Sequence, residues 1–182
     1  MEREHDALAT LEFLDAVRTA TRSRIALFWF PMAIFGCVSL GAAVVSIAWG
    51  LEAVGLYWVV VGIPAGILTA WHYQRSESAA GLTTSAVPHL LVVGVLAFGA
   101  FALPVVVPND PAWAIALWVG AGYLAFSALE RSQTIAVVAL SFVGLGALFW
   151  QLEIPGETAW FSSLSGTVLL IGASVSRPRS VL

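Results

Sequence analysis

The residues able to do chemistry are few, and they sit at the ends of apolar runs. His72 closes one run in AWHYQRS and His89 opens the next in VPHLL. Two facing imidazoles are a means of sharing a metal or haem, or of making a pH-sensitive contact. Two His with no Cys or carboxylate beside them make a poor metal site, and a haem held between helices calls for histidines inside the bundle. We read both as interface histidines and expect no metal and no cofactor.

A second group opens the last apolar run: Ser162, Ser163, Ser165 and Thr167. An intramembrane serine hydrolase needs a base, and no His or Lys lies near. Small residues four apart are ordinary helix-packing devices, a description that fits Ser162 with Gly166 and Gly62 with Gly66. The other reading of these hydroxyls is an outward-facing polar pocket for a neutral ligand. Pro64, between the two glycines, implies a bend, because proline frees a backbone carbonyl that a neighbour must satisfy. Glu153 and Glu157 flank Pro155-Gly156 and read as solvated loop acids. The sequence contains no phosphate-cradling glycine loop, zinc motif or paired intramembrane carboxylates.

The elements that carry these residues follow from composition. The chain has 182 residues, 59% hydrophobic and only 10% charged, against about a quarter charged in soluble domains. That surplus of apolar surface belongs in lipid. Six apolar runs are long enough to cross a bilayer, at 25–49, 54–71, 89–107, 112–129, 134–150 and 159–175. None has Asp, Glu, Lys or Arg in its interior. This argues against proton pumps, proton-coupled antiporters and voltage sensors, which all need intramembrane ionisable groups. The acidic start MEREHDALATLEFLD lacks the order of a signal peptide, so the first run reads as a retained helix.

Orientation follows from the arginines. Arg3, Arg18, Arg22 and Arg24 precede the first run, Arg75 and Arg131 lie in the second and fourth gaps, and Arg177 and Arg179 follow the last run. Six spans put all eight on one side, which the positive-inside rule makes cytoplasmic. Six of the tryptophans and tyrosines fall at outward ends (Trp49, Tyr57, Trp58, Trp113, Trp150, Trp160), and Trp29 and Trp71 lie near inward ends. Trp118 lies deeper, and the sequence leaves open whether it faces lipid or another helix.

The expected fold is all-α: a six-helix transmembrane domain over 25–175 between a cytoplasmic N-terminal segment, 1–24, and a cytoplasmic tail, 176–182. Residues 7–24 read as an amphipathic helix capped by Asp6, with Leu8, Leu11, Leu14 and Val17 on one stripe. Pro31 would kink any continuation of that helix into the first span. Three tandem hairpins are a further expectation. Each even-numbered run opens on an aromatic and closes on an arginine, 17 residues apart for Trp58 to Arg75, 18 for Trp113 to Arg131 and 17 for Trp160 to Arg177. Any re-entering hairpin would produce the same signs, so duplication and coincidence both stay open.

The functional expectation is a non-catalytic component of the cell membrane: an accessory, sensor or partner-binding protein. Its working face is cytoplasmic and carries His72, Arg75, His89, Glu130 and Arg131. Its partners are membrane lipids and a cytoplasmic protein, and the lack of a basic tract excludes nucleic acid. The alternative is an uncoupled carrier or substrate-binding unit for a neutral or lipophilic small molecule. In size and helix count the chain resembles the substrate-binding components of vitamin-uptake transporters. Its first span lacks the spaced alanines that those proteins use to dock their partner.

Overall fold

Long apolar segments in lipid must satisfy every backbone N–H and C=O internally, and the helix does this within one segment. The computed structural model describes residues 28–79, 87–106, 112–152 and 154–177, and among them it holds helices and no strand. The expected amphipathic helix at 7–24, Glu153 and the tail from 178 on lie outside the described residues, as does the side chain of His89.

Helix α1 runs over Trp29–Trp49. Pro31 falls in its first turn, and the kink expected where a preceding helix would run into this span lies outside the described residues. A single residue, Gly50, links α1 to the next helix with φ 82° and ψ 179°, a conformation that only glycine adopts readily. Helix α2 comprises Leu51–Tyr57, a π turn at Trp58–Gly62 and Ile63–Ala79. It is longer at both ends than the apolar run suggested. The π turn immediately precedes Pro64. A proline ring collides with the carbonyl four residues back, and a widened turn relieves that collision. The bend read from Pro64 therefore takes the form of a π turn.

Helix α3 spans Val87–Val106, α4 Ala112–Glu130, α5 Gln133–Gln151 and α6 Glu157–Ser176. Helix α4 ends with Arg131 in left-handed backbone, φ 51°, while the Ser132 N–H reaches back to the Ser127 carbonyl at 3.2 Å. This is a helix stop of the type that usually employs glycine. Ser132 then caps α5, its side chain accepting the Ile135 N–H. Five helical segments are long and apolar enough to cross a membrane: α1, α2 as far as Ser76, α4, α5 and α6.

The core lies among α1, α4, α5 and α6. Met32, Ile135, Val138, Phe142, Leu169 and Ala173 are buried together, and Val119, Tyr123 and Phe126 of α4 close over them. Tyr123 stacks on Phe142 at 5.7 Å, and Phe161 meets both Phe142 and Phe149 edge-on at 6.3 Å. Large apolar side chains cover the outside: Ile47, Phe98 and Ile67 are 77%, 74% and 66% exposed. That surface is intolerable in water over such an extent and ordinary in lipid. The molecule is a multi-span helical membrane protein.

The most extensive helix pairings are α1 with α6 and α4 with α5, not the hairpins of the sequence comparison. Glycine permits both. A Cβ added at Gly36 would lie 3.1 Å from the Gly166 carbonyl oxygen, and one at Gly166 would lie 2.9 Å from that of Gly36. In the second pair, a Cβ on Gly120 would meet the Ala139 carbonyl oxygen at 3.1 Å. Helices α2 and α3 flank this core, packed on α1 and α4 respectively. Each flank is held by one aromatic over one glycine. The Tyr57 hydroxyl donates to the Val38 carbonyl at 3.0 Å above Gly41, and Trp118 Nε1 donates to the Leu96 carbonyl at 3.3 Å above Gly99. Trp118 thus packs between helices.

Gly166→Val should destabilise the detergent-purified protein by about 1–3 kcal/mol through overpacking. Gly66→Ala, where a Cβ meets nothing within 4 Å, should be neutral or slightly stabilising through helix propensity. Thermal denaturation of the two variants beside the wild type checks this, and equal losses would contradict the described crossing.

Candidate functional site

One end of the bundle gathers the start of α1 and the ends of α2, α4 and α6. Phe28, in the turn before α1, meets Tyr73 of α2 edge-on at 5.9 Å and Phe126 of α4 at 6.5 Å. Next to it, Phe30 stacks on the His72 imidazole with centroids 3.9 Å apart and planes 23° from parallel. Trp29 stands edge-on to the same imidazole at 6.4 Å. Arg177, the residue that stops α6, places its guanidinium carbon 5.5 Å from the Trp29 ring centre. Arg75, one turn beyond His72, does the same over Trp71 of its own helix at 5.4 Å. Such cation–π contacts occupy the face of a guanidinium and leave its N–H edge free.

Helical spacing accounts for the grouping. Trp71, His72 and Arg75 occupy about one turn of α2, with His72 turned toward α1 and half-buried while Trp71 and Arg75 are exposed. His72 has an aromatic stacking partner, and among the described residues no group of three His, Cys, Asp or Glu side chains stands close enough to hold a metal ion. Arg131 is exposed at the α4–α5 turn, and Glu130 beside it is half-buried.

The serine-rich opening of α6 is spent on its own helix and its neighbours. Ser165 Oγ donates to the Phe161 carbonyl at 2.7 Å and Thr167 Oγ1 to the Ser163 carbonyl at 2.8 Å. Ser162 is buried, Ser163 half-buried and Thr167 exposed, while Gly166 lies in the crossing with α1. On α2, the Trp58 ring covers Gly62, whereas Pro64 is exposed and Gly66 faces open space. Thr69 Oγ1, one turn further, is buried without a hydrogen-bond partner.

Sequence reasoning missed Glu157. Expected in solvent, it is only 8% exposed. Its carboxylate accepts the Trp113 backbone N–H at 3.1 Å, and so satisfies one free donor at the start of α4 from the first residue of α6. Trp113 stacks on Trp150 of α5 at 5.6 Å alongside. The opposite end of the bundle is therefore tied by one acid between α6 and α4 and by one ring stack between α4 and α5. An acid immediately after Gly156, at a helix start, was the available signal.

Comparisons with protein-family models, with curated proteins and with solved structures find no match for this chain. The geometry alone carries the functional argument.

Glu157→Ala should lower the melting temperature by an amount equivalent to about 1.5–3 kcal/mol, the contribution of a hydrogen bond to a charged group. Glu157→Gln, which keeps an acceptor oxygen, should lose less. Melting curves of the two variants test this, and an unchanged Glu157→Ala protein would contradict the tie.

Proposed function

We propose that the chain is a non-catalytic, six-span protein of the cell membrane with both termini in the cytoplasm, working as an accessory, sensor or partner-binding component. Helix α3, 20 residues long and free of Asp, Glu, Lys and Arg, is the sixth span. The observation that carries the reading is the state of the arginines. Arg75 and Arg177 bear on tryptophan rings at the same gathered helix ends, and no ion pair among the described residues takes up Arg75, Arg131 or Arg177. Charges held in place and without an ion pair among the described residues are suited to serve something outside them. The opposite end has acids and no arginine. The working face on this reading comprises the N-terminal segment, the loop from His72 to His89 and the Glu130–Arg131 turn, with an acidic patch of a cytoplasmic protein as partner.

The carrier reading keeps one observation in its favour. The π turn, Pro64 and the unpartnered Thr69 hydroxyl all lie on α2, and π turns often occur at functional sites.

Topology is checked by labelling. In a Cys37→Ser background, a cysteine placed at Asp110 should react with a membrane-impermeant maleimide on intact cells, and one placed at Ser78 should not. The reverse pattern, or equal labelling, rejects the orientation.

The working face is checked by cross-linking in native membranes. Arg75→Glu combined with Arg131→Gly should reduce partner capture at least severalfold with the fold intact. Exposed charges contribute little to stability, and the left-handed backbone at 131 suits glycine. Capture that survives these changes and is lost on altering the outer loops places the surface on the other side.

A further inference from the structure

We propose that Arg177, Trp29 and His72 form a headgroup site for an anionic phospholipid, at the junction of α1, α2 and α6. The proposal shares His72 and Arg75 with the partner-binding face but does not rest on that reading, since it needs only this helix junction and no soluble protein.

Three distant parts of the chain meet there. Helix α1 packs against both α2 and α6, and its first residue, Trp29, carries the Arg177 guanidinium on its ring and the His72 imidazole at its edge. The cation–π contact holds the guanidinium against the protein surface. Its forked N–H edge is the donor arrangement that matches a phosphate in bidentate fashion. Phe30 fixes the His72 ring by stacking, so a ring N–H is presented in a set direction. Arg75, one turn beyond His72, adds a second guanidinium at the same end of the bundle. Among the described residues no carboxylate neutralises either arginine.

The surface below the arginines identifies the ligand as a lipid. On α6, Val175 and Ile171 are 68% and 59% exposed near the same helix end, on a face turned away from position 177. On α2, Leu68 and Trp71 are likewise exposed before Arg75. Arg75 thus caps exposed apolar surface of α2. A free phosphate would satisfy only the arginine. An acidic peptide would leave the apolar surface beneath it uncovered. A phospholipid with a net negative headgroup satisfies both, phosphate at the guanidinium and acyl chains along α2. The interfacial tryptophans belong at the depth of such headgroups.

The test uses the full chain in mild detergent, titrated with phosphatidylglycerol, with phosphatidylcholine or with inorganic phosphate. Lipid retention is read by native mass spectrometry and stabilisation by thermal denaturation. The wild type should retain phosphatidylglycerol in preference to phosphatidylcholine, and the preference should weaken as salt screens the contact. Arg177→Gln should bind phosphatidylglycerol about fivefold more weakly, the effect of one basic residue at a membrane surface. Arg131→Gln, at the same end of the bundle, should bind as the wild type does. Arg177→Lys keeps the charge without the planar fork and should fall between; it also serves if Arg177→Gln does not fold. Equal retention of the two lipids, or equal binding by wild type and Arg177→Gln, overturns the site. Equal losses from Arg131→Gln and Arg177→Gln reduce it to diffuse surface charge and also overturn it. Stabilisation by inorganic phosphate that matches the lipid overturns the assignment to a lipid.

Discussion

The structure depends on how closely two backbones can approach without a side chain between them. In lipid, apolar burial gives helices little reason to associate, because the alternative surroundings are equally apolar. Association rests on close packing, which small residues allow. At Gly36 and Gly166 each helix presents bare backbone to the other, and either Cβ would press on the opposite carbonyl. Gly120 and Gly146 do the same work between α4 and α5. The aromatic core around Phe142 fills the space that these two crossings enclose.

From that constraint follows a division of labour. The four central helices hold the buried side chains, whereas in the membrane-crossing stretch of α2 only 11% of residues are buried. The flanks are retained by specific polar anchors, Tyr57 of α2 reaching a carbonyl of α1 and Trp118 of α4 reaching a carbonyl of α3, each over a glycine. Such anchors matter more where packing is sparse. The less regular part of the backbone, the π turn before Pro64, lies on one of these flanks and not in the core.

Much of this was legible in the chain, for physical reasons that also set where legibility ended. The helices were visible because crossing a bilayer requires an uninterrupted apolar run, and their ends because arginine is excluded from those runs. His72 and Arg75 could thus be assigned to one end of a helix. Their aromatic companions, Phe30 and Trp29, could not, since that pairing depends on which helices meet. Spacing alone could not separate Gly166, which lies in a crossing, from Gly66, which faces open space. Both sit in the same small-residue pattern. Glu157 read as a loop acid beside Pro155 and Gly156, and its burial arises only when the start of α4 arrives from 44 residues away. The repeat of arginine-closed hairpins was visible too, but the most extensive pairings join α1 to α6 and α4 to α5.

The pairing of the first helix with the last has a consequence for biogenesis. During synthesis α1 emerges well before α6, and its main packing surface, including Gly36 and Met32, faces that later helix. That contact has the largest sequence separation the bundle offers, and such contacts form slowly because a long loop must close first. Throughout that interval Gly36 lacks the Gly166 backbone against which it packs. A nascent intermediate with α1 to α5 in place would lack one of the two most extensive helix pairings until α6 joins it.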